Sequence, residues 1–242
     1  MKNSFNFDPK GKKLLAIFAH ADDADYGCGG TFLKWLKMGA KGSIVIVTNG
    51  DKGTNDRTLT PIELAELRRE EQLAASKFLG LENTWFLDYP DAHLEVDQGL
   101  KKNLVKIIRE YKPDVVFTWD PSMFYSLKRN FINHPDHRAV GQAALDAIFP
   151  MARDFLTFDE LQNEGLTTHA VTDVFLYNFD KPNFFVDITP LVADKLKLLS
   201  FHKSQIDIVA AEKSVRGWNR VLGKKIGVAY AEGFIHIDLG KR

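Results

Sequence analysis

The sequence predicts an α/β protein: one mainly parallel, Rossmann-like sheet with helices on both faces and a site at the carboxyl ends of its strands. Three observations carry that expectation. Short, wholly apolar runs recur, as strands buried on both faces of a parallel sheet require. They alternate with segments of helical apolar spacing three or four times before residue 150. Helix punctuation also falls where the alternation needs it. The clearest case is the capping box Thr60-Pro61-Ile62-Glu63, with proline at the first helical position.

Taken in order, Asp8-Pro9-Lys10-Gly11 is a turn that feeds a first strand over 14–19. Phe32, Leu33, Trp35 and Leu36 mark a helix over 29–37, stopped by Gly39. Residues 44–47 form a second buried strand, and the capped helix that follows closes at Gly80. A strand over 84–87 runs into a turn at Asp88-Tyr89-Pro90-Asp91. Leu100, Leu104, Ile107 and Ile108 mark a helix that Pro113 ends, and 115–119 is the fourth strand. A helix from about 138 to 149 follows a loop carrying His134 to His137. Residues 171–178 and 184–188 read as later strands, Thr189-Pro190 opens another helix, and the aperiodic 151–170 is a loop. With no repeat, low-complexity tract or Ser/Gly linker, 1–242 reads as one domain.

Composition narrows the function. Lys+Arg and Asp+Glu are both 32, so the net charge is zero and nothing favours nucleic acid or an anionic membrane surface. The single cysteine, Cys28, excludes an internal disulfide and a cysteine-cage zinc site, and fits a reducing compartment. The early apolar run over 14–19 is too short for a signal peptide, and no run approaches a membrane span. The expectation is a cytoplasmic protein with a small-molecule substrate; a symmetric homo-oligomer is the base-rate assembly.

Chemistry concentrates in two clusters. In a parallel α/β sheet, ligands gather beyond the carboxyl ends of the strands. The first strand runs into His20-Ala21-Asp22-Asp23, and the loop after the fourth reaches His134-Pro135-Asp136-His137. Both clusters therefore fall at one sheet edge. Imidazole nitrogen and carboxylate oxygen suit zinc or another divalent ion. Taken singly, each residue reads as a solvated loop polar or a helix cap. The pair Asp22-Asp23 fits that reading badly, because adjacent carboxylates behind a buried strand repel unless something neutralises them. Gly27-Cys28-Gly29-Gly30 suggests close helix–sheet packing more than a phosphate cradle, lacking both a Walker lysine and the Gly-x-Gly-x-x-Gly spacing. His93, His169 and His236 have no evident partner, and His202 reads as a helix C-terminal cation. Cys28 has no neighbouring histidine or CxxC mate to make it a nucleophile.

These motifs, in this order on this scaffold, resemble the LmbE/PIG-L family of deacetylases, whose usual signatures are His-Pro-Asp-Asp-Glu and His-Pro-Asp-His. That family includes the N-acetylglucosaminyl-phosphatidylinositol deacetylase and deacetylases of the mycothiol and bacillithiol pathways. Arg68-Arg69-Glu70-Glu71, Leu79-Gly80-Leu81, Tyr89-Pro90-Asp91, Val186-Asp187-Ile188-Thr189 and His202-Lys203-Ser204-Gln205 extend the likeness over most of the chain. The resemblance implies a zinc-dependent enzyme that removes an N-acetyl group from an N-acetylglucosamine-type substrate, through metal-activated water. It places the metal ligands at His20, Asp23 and His137 and the general base at Asp22. His134 falls near the reacting carbonyl, Asp136 is an orienting carboxylate, and Arg68 and Asp91 are substrate contacts. Two positions depart from the pattern: Ala21 stands for proline and Ala24 for glutamate, whose supporting duty Asp25 is placed to assume. Two rivals stand beside this reading. One is a two-metal phosphoesterase, which would recruit Asp22, Asp120, Asp136 and His134; the other is a carbohydrate- or metal-binding module without turnover.

Overall fold

The computed structural model describes residues 2–3 and 7–240. Its main sheet has eight strands: β1 (Lys2–Asn3), β2 (Lys13–Phe18), β3 (Lys41–Thr48), β4 (Asn83–Tyr89), β5 (Val115–Trp119), β8 (Asp173–Tyr177), β9 (Phe184–Asp187) and β10 (Ala231–Asp238). A separate two-stranded ribbon pairs β6 (Tyr125–Ser126) with β7 (Phe131–Ile132). The order across the main sheet is β4-β3-β2-β5-β8-β10-β9-β1. From β4 to β8 every pair is parallel, while β10 runs antiparallel between β8 and β9. The mainly parallel sheet expected from the alternation is therefore present. Its antiparallel far side was not expected, because nothing local in 231–238 specifies strand direction.

The helices are α1 (Asp23–Lys37), α2 (Pro61–Leu79), α3 (Gln98–Tyr111), α4 (Pro135–Asp146), the short α5 (Glu160–Asn163), α6 (Val192–Leu199) and α7 (Ile208–Lys224). The second helix follows its punctuation closely: Thr60 and Glu63 form both bonds of the capping box, and Gly80 ends it in the left-handed conformation. Three expectations need correction. First, α1 begins at Asp23, six residues before the expected start, so the glycines lie inside it. Second, α4 begins at Pro135 with His134 as its N-cap, so the second histidine motif is a helix start rather than a loop. Third, α7 had no counterpart in the sequence reading. The aperiodic stretch 151–170 is irregular apart from α5, and its carbonyls at Met151, Asp154 and Thr157 accept from the buried Arg109 guanidinium.

The core explains the apolar strands. Leu14, Leu15, Ala16, Ile17 and Phe18 on β2 and Val115, Val116 and Phe117 on β5 are all buried, as central strands of a two-faced sheet must be. Phe117 stacks on Phe175 with ring centroids 5.0 Å apart, and Trp35 and Phe32 of α1 close over them.

The glycines of α1 let it lie close to the sheet and to α6. A Cβ on Gly29 would stand 2.8 Å from Leu198 Cδ2, and one on Gly30 would stand 2.9 Å from both Glu232 Oε1 and Ile188 Cγ2. Glu232, on β10, accepts the backbone N–H groups of Gly30 and Thr31 and the Lys195 ammonium, all in the interior. This pinned carboxylate leaves no room for a side chain, and that, rather than phosphate binding, accounts for the glycine run.

The strand order also places the site. From β2 the chain moves outward to β3 and β4; from β5 it moves the other way, to β8. The crevice between the carboxyl ends of β2 and β5 is thus the topological switch point, where open α/β sheets bind ligands. His20 lies just past β2, and the chain from β5 leads to His134 and His137.

Replacing Gly30 by Ala tests the packing argument. Alanine gains up to ~1 kcal/mol of helix propensity over glycine. Overpacking against the immobilised Glu232 and Ile188 costs ~1–3 kcal/mol. We expect Gly30→Ala to be destabilised on balance, read as a lower urea midpoint at unchanged m-value; a midpoint at or above wild type refutes the close-packing account.

Candidate active site

Three side chains meet at the switch point. His20 Nδ1 lies 3.2 Å from His137 Nε2 and 3.4 Å from Asp23 Oδ2, and His137 Nε2 lies 3.2 Å from Asp23 Oδ1. The far side of each imidazole fixes its tautomer. His20 Nε2 is 3.1 Å from Asp91 Oδ1, so it carries the proton, and His137 Nδ1 is 2.9 Å from the Asn133 side-chain oxygen, so it carries the proton there. The two nitrogens that face each other therefore both present lone pairs, beside a carboxylate. Such a donor set is repulsive unless a cation or a further proton lies among it. Its separations also match the ~3.3–3.4 Å edges of a tetrahedron with bonds of ~2.0–2.1 Å to a small divalent ion. The donors therefore fit a metal. A wider grouping of His20, His134 and His137, with ligand atoms within 4.8 Å of one another, also exists. We favour the set containing Asp23 because its edges are shorter and because His134 Nδ1 is taken up as the acceptor of the Asp136 N–H.

The surroundings hold these three side chains in place. Asp23 Oδ2 accepts the His20 backbone N–H at 3.0 Å and the Trp119 indole N–H at 3.2 Å. The same indole stacks on the His137 ring, with centroids 4.1 Å apart and planes 8° from parallel. Trp119 thus touches two of the three at once. Burial alone would raise the Asp23 carboxyl, but His137 and His20 outweigh it and hold it well below the carboxylate range. Burial would lower His20, yet hydrogen bonds to Asp136, Asp23 and Asp91 carry it well above the ordinary imidazole value, so without a cation its ring holds a second proton, on the Nδ1 that a metal would take. Asp136 is fully buried: Oδ2 accepts from Ala92 N at 2.7 Å and lies 3.4 Å from His20 Nε2, while Oδ1 accepts from Leu94 N. Asp91 is buried on the same side, its oxygens on His20 and on the Lys52 N–H. Both carboxylates thus stand behind His20 as second partners for its ring, an arrangement that orients ligating histidines.

Asp22 points elsewhere. It caps α1 from a left-handed backbone conformation, φ 86°, and its partly exposed carboxyl lines a cavity with Asp23 and His137. Burial and the adjacent Asp23 push that carboxyl up to about 6. The peptide group between Ala21 and Asp22 is held at both ends: Arg68 Nη2 donates to the Ala21 oxygen, and the Asp22 N–H donates to Gln72 Oε1. Arg68, expected from the resemblance to contact substrate, is buried on α2. Its guanidinium bonds to Gly50 O and Ala21 O and faces a second cavity of about 250 Å³. Asp25 is buried against His202 Nε2 at 2.6 Å, so His202 is a partner of this network rather than a helix-end cation.

His134 stands at the open side, about one-third exposed. Burial and the neighbouring His20 lower its basicity, so it is neutral near pH 7. With Nδ1 accepting from the Asp136 N–H, its proton lies on Nε2, a donor free to meet a ligand oxygen.

The first cavity, about 350 Å³, runs outward from Asp22, Asp23 and His137 between Tyr26, Trp119, Phe131, Tyr177, Phe179 and Trp218. Arg129 also lines it, its guanidinium sandwiched between Phe179 at 4.2 Å and Trp218 at 4.9 Å. Sequence reasoning missed this wall and missed Trp119 and Gln72. Trp119 ends a strand that was recognised, but its bond to Asp23 spans 96 residues and leaves no local mark. Trp218 comes from the unforeseen α7. The three remaining histidines have structural partners: His93 with Asp91 O, His169 with Pro113 O and His236 with Asp173. Cys28 is buried and free. Among the described residues, no helix is long and apolar enough to cross a membrane.

The chain is similar to several known proteins. The chain is 33% identical over 237 residues to diacetylchitobiose deacetylase of Thermococcus kodakarensis, covering 93% of this chain and 86% of that one. It is 26% identical over 203 residues to a probable N-acetyl-alpha-D-glucosaminyl L-malate deacetylase 2 of Bacillus anthracis, covering 80% and 81%. Among solved structures, N,N'-diacetylchitobiose deacetylase from Pyrococcus horikoshii, complexed with its inhibitor MPG, superposes with a TM-score of 0.86 at 36% identity. That match covers 94% of this chain and 84% of the other. Residues 15–148, the span that contains His20, Asp23 and His137, match PIG-L, described as GlcNAc-PI de-N-acetylase, and so the chain belongs to the PIG-L family.

Proposed function

We propose that this protein is a zinc-dependent N-deacetylase that releases acetate from an N-acetylglucosamine-type sugar. The observation that carries the reading is the triad of His20, Asp23 and His137 at mutual distances of 3.2–3.4 Å, with Asp22 beside it at the mouth of an aromatic cavity. The related enzymes that act on diacetylchitobiose and on N-acetylglucosaminyl malate support the substrate class.

The triad would hold the ion, which when bound supplies Lewis acidity toward an amide carbonyl and toward water. The remaining chemistry belongs to the chain. Asp22, outside the triad and facing the cavity, takes the proton from water as it attacks, and that proton is then available to the departing amine. His134, neutral and carrying its proton on Nε2, donates to the oxygen on which negative charge develops. Asp136 and Asp91 hold His20 in the tautomer that leaves Nδ1 free. Arg68, buried with both terminal nitrogens on backbone oxygens, serves the loop that carries Asp22 and contributes one wall to the neighbouring cavity. The cavity walls, rich in aromatic faces, suit the apolar face of a pyranose ring.

The rivals fit less well. For a two-metal phosphoesterase, Asp120 and Asp136 would have to join the ligands. Asp120 instead bonds to Ser122 and Asn178, and both oxygens of Asp136 accept backbone N–H groups. A non-catalytic binding module has no need of a carboxylate beside the triad that faces the cavity.

Three outcomes follow. The purified protein carries about one divalent ion per chain, loses activity to chelators and regains it with zinc or cobalt, and His20→Ala and His137→Ala bind no metal tightly; metal retention by both, measured by elemental analysis, refutes the ligand set. Asp22→Asn keeps its metal while kcat falls by ~10²–10⁴, and the acidic limb of its kcat–pH profile weakens, because that limb reports protonation of the base. Asp23→Asn loses metal and activity together, and the reverse pattern would exchange the two roles. In a panel read by amine release, N-acetylglucosamine or its glycosides are hydrolysed while phosphate esters are inert; turnover of the esters alone would establish the phosphoesterase.

A further inference from the structure

Gln72 lies about three turns into α2 from the Thr60 capping box, fully buried, and lines neither cavity. No motif singles it out. Yet its side-chain oxygen accepts the Asp22 N–H at 3.1 Å, and Arg68, four residues earlier on the same helix, donates to the Ala21 oxygen at 3.0 Å. Residues four apart stand side by side on a helix face. One pair of neighbouring side chains therefore grips the two ends of a single peptide plane.

We infer that Gln72, with Arg68, is a positioning residue that holds the Ala21–Asp22 peptide in the one orientation that aims the Asp22 carboxylate into the cavity. This inference rests on the assignment of Asp22 as the base. Its physical need is the backbone of Asp22, at φ 86° and ψ −31°. A residue with a side chain is strained there and persists only where its surroundings over-determine it. The peptide cannot rotate away without breaking both bonds. Each jaw is itself held: Arg68 Nη1 donates to Gly50 O at 3.0 Å, and Gln72 Nε2 reaches Asp25 Oδ2 at 3.4 Å, which His202 fixes from the far side. Asp23 has separate anchors in the His20 N–H and the Trp119 indole. Loss of the clamp therefore misplaces the base and leaves the metal ligands seated.

The test uses Gln72→Met, which keeps the length of the side chain and removes the acceptor. Three results are expected. Metal stoichiometry and KM stay at wild-type values while kcat falls roughly 10²-fold, the scale of an ångström of misplacement. In an Asp22→Asn background the same substitution costs nothing further, since no base remains to be aimed. The Asp22 amide, followed by hydrogen exchange in NMR, is among the protected amides of the wild type and loses that protection in the variant. An equal fractional loss of kcat in both backgrounds would reduce Gln72 to a structural residue. The exchange measurement needs no substrate, so it judges the clamp even if no sugar in the panel turns over. Fast exchange of the Asp22 amide in the wild type refutes the inference whether or not the variant folds.

Discussion

Two imidazole lone pairs and a carboxylate forced within 3.4 Å of one another set the terms for everything around them. Left to themselves such groups separate, and water would favour their doing so. They stay together because each is tied from behind by a bond that fixes its direction: Asp91 and Asp136 on His20, Asn133 on His137, and Trp119 on both Asp23 and His137. The buried carboxylates behind His20 are in turn quenched by backbone N–H groups from 92 and 94. The charge imbalance that a cation would remove is concentrated at the front of the cluster, and the back is satisfied.

The sheet supplies the separation of roles. Consecutive residues 22 and 23 have the same chemistry, but the chain turns sharply between strand and helix, so their side chains diverge. Asp23 is drawn under the helix toward Trp119, whereas Asp22 is left at the rim by a backbone twist that few residues tolerate. The difference between the two carboxylates' surroundings is thus a difference of backbone angle.

What could be read in advance follows a physical line. Strands β2, β3 and β5 were legible because burial on both faces demands unbroken apolar runs, and α2 because its ends carry their own capping chemistry. The histidine motifs were legible because their residues sit next to one another in the chain. The start of α1 was not: glycines that normally signal a helix end here answer to Glu232 and Leu198, more than 150 residues away. The burial of Arg68 was not legible either, because the carbonyls of Gly50 and Ala21 that receive its guanidinium lie 18 and 47 residues away. Trp119, Gln72 and the aromatic wall act across long sequence separations. Their signal exists only in three dimensions.

Glu232 carries a last implication. The helix that begins with Asp23 is fastened to the sheet through N–H groups at 30 and 31, and the carboxylate that receives them lies 202 residues further along the chain. On a ribosome, both histidine motifs leave the exit tunnel long before their support does. A nascent chain therefore passes through an interval in which the nitrogen and oxygen donors of the cluster are made while Glu232, which fastens the helix beneath them, is not. The strand that ends that interval is the antiparallel one, inserted between two strands already made. Fastening of α1 and closure of the sheet both wait, in this topology, for the same late strand.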